Sequence, residues 1–114
     1  MQNLSIVRGT SFPFSVKLTD ALGDRLKMDE GDKLYFGVKR FPEHKKYQIL
    51  KTLTADDYNE DIGGYIFEIK PEDTQDFVFD KYYYDVGLET NEGDFFSVIE
   101  CSILEIRPSI TAKM

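Results

Sequence analysis

The chain has no tryptophan, a single cysteine and a single histidine. Cys101 alone cannot close an internal disulfide, so packing must hold the fold, and a reducing cytoplasm is acceptable at synthesis. One Cys and one His also fall short of a zinc ligand set. Bases are scarce: 14 Lys and Arg stand against 21 Asp and Glu, a formal net charge of −7. Nucleic acid is held by clustered Lys and Arg, so a nucleic-acid partner is set aside. No stretch approaches the ~20 apolar residues that span a bilayer, and Met1 to Gly9 lacks a basic start followed by an apolar run, so neither a membrane partner nor an export leader is expected. A phosphate loop is missing too, because Gly63-Gly64 follows acid and precedes no Lys-Ser or Lys-Thr pair.

What is present is aromatic. Nine Phe and seven Tyr among 114 residues, within an apolar share of 41%, suit pleated surfaces and a Phe- and Tyr-rich core. A chain of this length forms one domain, residues 1–114, and can bury about two-thirds of its unfolded surface.

Period-two alternation recurs along the chain. Leu4 and Ile6 make a short first strand that turns at Gly9. Phe12, Phe14, Val16 and Leu18 share one face, and Pro13 between them marks an edge or a bulge because it cannot donate to a ladder. Asp20 to Asp24 is a turn, Leu26 and Met28 form a covering segment, and Asp29 to Asp32 turns again. Leu34, Phe36 and Val38 point inward against Tyr35, Gly37 and Lys39 until Pro42 stops the strand. From Tyr47 to Thr54 either face could be the inner one. Tyr65, Phe67 and Ile69 alternate up to Pro71, which with Glu72, Asp73 and Asp76 favours a short helical turn over Pro71–Asp76. The chain then dives into Tyr82, Tyr84, Val86 and Leu88, the strand expected at the centre of the fold, with Tyr83 on its other face. Asn91 to Asp94 makes a hairpin. The last strand runs from Phe96 to Ile106 and must be bulged or buried on both sides midway, because Ile99, Cys101 and Ile103 break its alternation. Pro108 ends it, leaving Ser109 to Met114 as a tail. Seven to eight short strands and one helical turn predict an all-β, immunoglobulin-like β-sandwich.

Chemistry-bearing residues are thinly spread. His44 lies in a Glu-His-Lys-Lys turn and reads as solvated surface; Cys101 lies in a strand with no histidine close by and reads as a buried small hydrophobe. The Asp56–Asp61 loop crowds Asp56, Asp57, Asn59, Glu60 and Asp61 without EF-hand spacing, so a solvated acidic loop is expected, with calcium as the alternative. No catalytic, cofactor or metal residue is assigned, and an enzyme is not expected. Charge is segregated instead: Lys33, Lys39, Arg40, Lys45, Lys46 and Lys51 stand against Glu43 alone, whereas nine acids between Ala55 and Asp80 stand against Lys70 alone. Such a layout suits docking against copies of the chain or a complementary partner, and Ser11–Asp20 and Lys33–Phe41 are the candidate exposed edges.

Five segments together carry a resemblance: Ile6-Val7-Arg8-Gly9-Thr10-Ser11-Phe12-Pro13-Phe14, Lys17-Leu18-Thr19-Asp20, Ile69-Lys70-Pro71-Glu72-Asp73-Thr74, Tyr82-Tyr83-Tyr84-Asp85-Val86 and Ile106-Arg107-Pro108-Ser109-Ile110-Thr111. They resemble small immunoglobulin-like proteins of tailed bacteriophages and prophages, related to the N-terminal domain of phage baseplate upper proteins. Asp80 stands where members carry a glycine, a place that would ask it for left-handed backbone. The resemblance implies a non-enzymatic virion component of head, neck or baseplate that docks other virion proteins and copies of itself. The alternative is a module binding host-surface glycan or another cell-surface ligand through an outward aromatic strip, Tyr83 with Tyr35 or Tyr47.

Overall fold

The computed structural model describes residues 2–111. Strands hold 50% of the chain and helical turns 6%, in agreement with an all-β reading. In chain order the strands are β1 (Leu4–Val7), β2 (Phe12–Val16), β3 (Leu18–Thr19), β4 (Arg25–Leu26), β5 (Lys33–Lys39), β6 (Ile49–Thr54), β7 (Tyr65–Ile69), β8 (Lys81–Glu89) and β9 (Phe95–Arg107). A 3-10 turn at Ala55–Asp57 and a short helix, α1 (Pro71–Thr74), complete the elements.

Five strands form one curled sheet in the order β1-β9-β8-β5-β6, antiparallel except where β1 runs parallel to β9. The tyrosine strand β8 is its middle member, as the alternation predicted. β2 and β7 make a separate antiparallel ribbon, Phe14 opposite Phe67, and β3 pairs with β4. The ribbon lies on the inner face of the large sheet. Phe14 of β2 meets Phe36 of β5 and Tyr84 of β8 with ring centroids 5.6 and 5.9 Å apart, and Phe67 of β7 meets Phe36 at 5.5 Å. Leu34, Val38, Val86, Leu104 and Ile69 fill the space around these rings with no exposure. Apolar side chains at every second residue thus drive both layers together, and removal of their surface from water is the main source of stability.

The corner between β7 and β8 is built as its residues dictate. Pro71, whose missing N–H costs nothing in a first turn, opens α1, and the Asp73 carboxylate accepts the Lys70 N–H at 2.7 Å. Thr74, fully buried, accepts the Gly9 N–H at 2.8 Å and so ties this corner to the turn between β1 and β2. Phe77 then stacks on Tyr82 with centroids 4.3 Å apart.

Several expectations need correction. There are nine strands among the described residues, because the Phe12–Leu18 run splits into β2 and β3 and the covering segment contributes β4. Met28 in that segment is buried, but Leu26 is 44% exposed. Lys33–Phe41 is not an edge: β5 lies between β8 and β6, and β6 is the outer strand. The open choice in β6 resolves with Ile49 buried and Leu50 exposed; Lys51 reaches Asp73 beyond the edge at 2.8 Å. No non-glycine residue among those described has positive φ, so Asp80 needs no left-handed backbone; its carbonyl accepts the Ile106 N–H at 2.8 Å. β9 does shift register twice, between the partners of Tyr84 and Val86 and again before Gly87, which explains its broken alternation. Of the expected tail, residues 112–114 lie outside the described residues, as does Met1 of the expected domain.

Candidate functional site

The outward face of the five-stranded sheet is the candidate. Pleating sends Tyr35, Gly37 and Lys39 of β5 outward, and the register sets them opposite Gly87, Asp85 and Tyr83 of β8. Leu50 and Thr52 of β6 flank one side, Phe95 and Cys101 of β9 the other. Two mid-strand glycines make this face unusual. A Cβ on Gly37 would fall 2.7 Å from the Tyr47 ring, and one on Gly87 would collide with the Phe95 ring. Both rings therefore lie down on bare backbone, and the two glycines are buried although they face outward.

The result is a shallow hollow of about 410 Å³ open to solvent, walled by Tyr35, Tyr47, Leu50 and Phe95 and edged by Asp85 and Glu89. A smaller one of about 120 Å³ adjoins it over Gly37, between Tyr47, Tyr83, Lys39 and Cys101. Lys39 Nζ sits 4.6 Å above the Tyr47 ring, and the Tyr35 hydroxyl donates to Glu89 Oε1 at 2.9 Å. That hydrogen bond raises the Tyr35 pKa, with lesser contributions from burial and the Glu89 charge. Lost hydration pushes the Asp85 carboxyl above its ordinary value, while Lys39 draws it partly back. Flat rings, a few hydrogen-bonding edges and balanced charge equip the face for binding.

The structure brings the outward strip together: Tyr35, Tyr47 and Tyr83 share this face and none is buried, whereas Tyr82 and Tyr84 belong to the core. Cys101 corrects the expectation of a buried hydrophobe, because the register shifts in β9 turn it outward and expose it. His44 is exposed in its turn, against Phe41 at 5.2 Å. In the Asp56–Asp61 loop Asp57 accepts the Thr54 N–H, Glu60 pairs with Lys27 at 3.3 Å, and Asn59 Oδ1 accepts two backbone N–H groups; among the described residues no three acidic, His or Cys side chains are grouped to hold a metal ion. No helix among them is long and apolar enough to cross a membrane. Sequence reasoning missed Leu50 and Phe95 as parts of the face. Their signal was the pair of mid-strand glycines, each of which needs a large neighbour to cover it.

Comparison of the chain with protein-family models, with curated proteins and with solved structures found no match.

Proposed function

We propose that this chain is a non-enzymatic docking module, an immunoglobulin-type β-sandwich that serves as a structural or accessory component of a bacteriophage virion, in head, neck or baseplate. The observation that carries the docking part is the outer face of the large sheet, where Tyr47, Leu50 and Phe95 are 47%, 51% and 64% exposed around a flat, glycine-floored hollow. Contiguous apolar surface of this kind marks interaction sites. The sandwich type is supported by chain order. β2 with β7 stands as strands B and E stand in that fold, and β5, β8 and β9 stand as C, F and G, with β6 in the added position beside C. The virion part rests on the resemblance of the five segments named above.

Electron microscopy of phage particles assembled with and without the protein tests the reading. Density that disappears from head, neck or baseplate is expected, and identical particles would overturn it. A second reading, a glycan- or cell-surface-binding module, is favoured by the shared face of Tyr35, Tyr47 and Tyr83, since sugar rings stack on such strips. Hits on a glycan array that vanish on Tyr47→Ala would establish it in place of docking.

A further inference from the structure

We infer that the outer face of the five-stranded sheet seats a second copy of this chain, in an isologous dimer with its two-fold axis along the strands between β5 and β8. The inference rests on the docking reading of this face and names the occupant. Charge argues first. The chain carries a net −7, so two copies repel through most of their surface. This face is the exception: Lys33, Lys39 and Lys81 are balanced by Asp85, Glu89 and Glu105. The register sets Lys33 opposite Glu89 and Lys81 opposite Glu105, yet the ion pairs within 4 Å among the described residues lie elsewhere, at Lys27–Glu60 and Lys51–Asp73. Glu89 accepts the Tyr35 hydroxyl, Glu105 accepts the Ser5 hydroxyl, and Lys39 and Lys81 lie over tyrosine rings, so these charges have local contacts but none is spent in an ion pair.

Geometry argues second. A two-fold axis parallel to the strands lays β5 of one copy over β8 of the other at the same height, so each cross-strand pair is repeated between copies. Lys33 then faces the partner's Glu89, and Tyr35 comes down over the partner's Gly87, toward the hollow. Lys39 lands beside the partner's Tyr83 and one pair away from the partner's Asp85. Bases meet acids and ring meets ring, because Phe95 covers Gly87. The seven residues of β5 span about 24 Å, and the four strands that such an axis superposes, β9, β8, β5 and β6, about 14 Å across. A footprint of about 340 Å² per copy, before flanking side chains, lies below that of standard specific interfaces, so the dimer is weak and concentration-dependent.

Sedimentation equilibrium of the full chain across concentrations up to about 1 mM reads this directly. A monomer–dimer equilibrium is expected, with Lys33→Glu and Glu89→Lys each weakening it at least about tenfold. The double variant, which exchanges the two signs, returns it to near the wild-type constant. Leu22→Asp, at the exposed β3–β4 turn, leaves it unchanged. Far-UV circular dichroism confirms that each variant is folded. A chain that stays monomeric at the highest concentration overturns the inference, as does a dimer indifferent to the charge reversals. If the chain is monomeric but Lys33→Glu abolishes its incorporation into particles, the occupant is another virion protein and the docking reading stands. If incorporation too is indifferent to the face, that reading falls with it.

Discussion

Phe36→Ala is the substitution that tests how the two layers are joined. Phe36 has no exposure and lies against Phe14, Phe67 and Tyr84 at centroid distances of 5.6, 5.5 and 5.6 Å, so one ring bridges the large sheet and the β2-β7 ribbon. Truncating a buried phenylalanine costs about 3–5 kcal/mol, the upper part applying where neighbours cannot collapse into the gap. Three surrounding rings, each held by its own strand, resist collapse, and each loses an edge or tilted contact that contributes about 0.5–1.5 kcal/mol. A loss of about 4–5 kcal/mol follows. A domain of this size has about 6–17 kcal/mol to lose, so the variant folds but melts early. With an unfolding entropy of about 240 cal/mol/K, the midpoint should fall by about 17–20 °C. Urea and thermal unfolding followed by far-UV circular dichroism measure it, since there is no tryptophan to report. Phe95→Ala, on a ring 64% exposed, is the control and should cost under about 1 kcal/mol. If Phe36→Ala costs less than about 2 kcal/mol, or no more than the control, the ribbon does not rest on the sheet and the account of the core is wrong.

Three further outcomes are expected. Tyr65→Phe removes the hydroxyl that accepts the buried Met28 N–H at 2.7 Å, and stranding that donor should lower stability by about 1–3 kcal/mol in urea titration; a neutral result would show that the segment after β4 rehydrates. Thr74→Val keeps the shape but leaves the Gly9 N–H unpaired, so about 1–2 kcal/mol should be lost and amide exchange at Gly9 should quicken. Asp85 has its folded-state pKa raised above the ordinary 3.8, so its contribution to stability is full below that value and is lost as pH rises through the folded pKa. Asp85→Asn should therefore melt above wild type at pH 7, in dilute solution where the chain is monomeric, with the gap closing near pH 3.8; a variant less stable at pH 7 would mean that attraction to Lys39 outweighs the lost hydration.

The inner face was legible because burial on one side of a sheet writes itself as period two. Leu34, Phe36 and Val38, and again Tyr82, Tyr84 and Val86, alternate with polar or small residues and are buried as that spacing requires. Legibility failed where the backbone leaves that period. In β9 the mid-strand irregularity was expected, but not that Cys101 would face outward there, because a bulge within thirteen residues of mixed polarity does not announce its own position. It failed also where partners are distant in sequence. That β6, and not β5, forms the edge depends on the pairing of β5 with β8, some fifty residues away, which no alternation in β5 announces. The aromatic strip was visible as Tyr35, Tyr47 and Tyr83, but the hollow was not, because Tyr47 precedes its strand and Phe95 opens another.

Gly37 and Gly87 separate what this sheet does for stability from what its outer face does. Glycine inside a strand costs about 0.5–1 kcal/mol in chain entropy relative to alanine, and a β-branched residue would pack better still. Neither glycine is required by positive φ, since both keep ordinary extended backbone. Both are on central strands that each supply three of the eighteen buried core residues, where destabilising choices would do most harm. Their shared effect is to let Tyr47 and Phe95 lie flat on the backbone between Tyr35 and Asp85. A face kept only to shed water would carry threonine, lysine and glutamate at those two positions. A level surface of rings laid on backbone and rimmed by compensating charges is instead the shape that a second flat surface can cover.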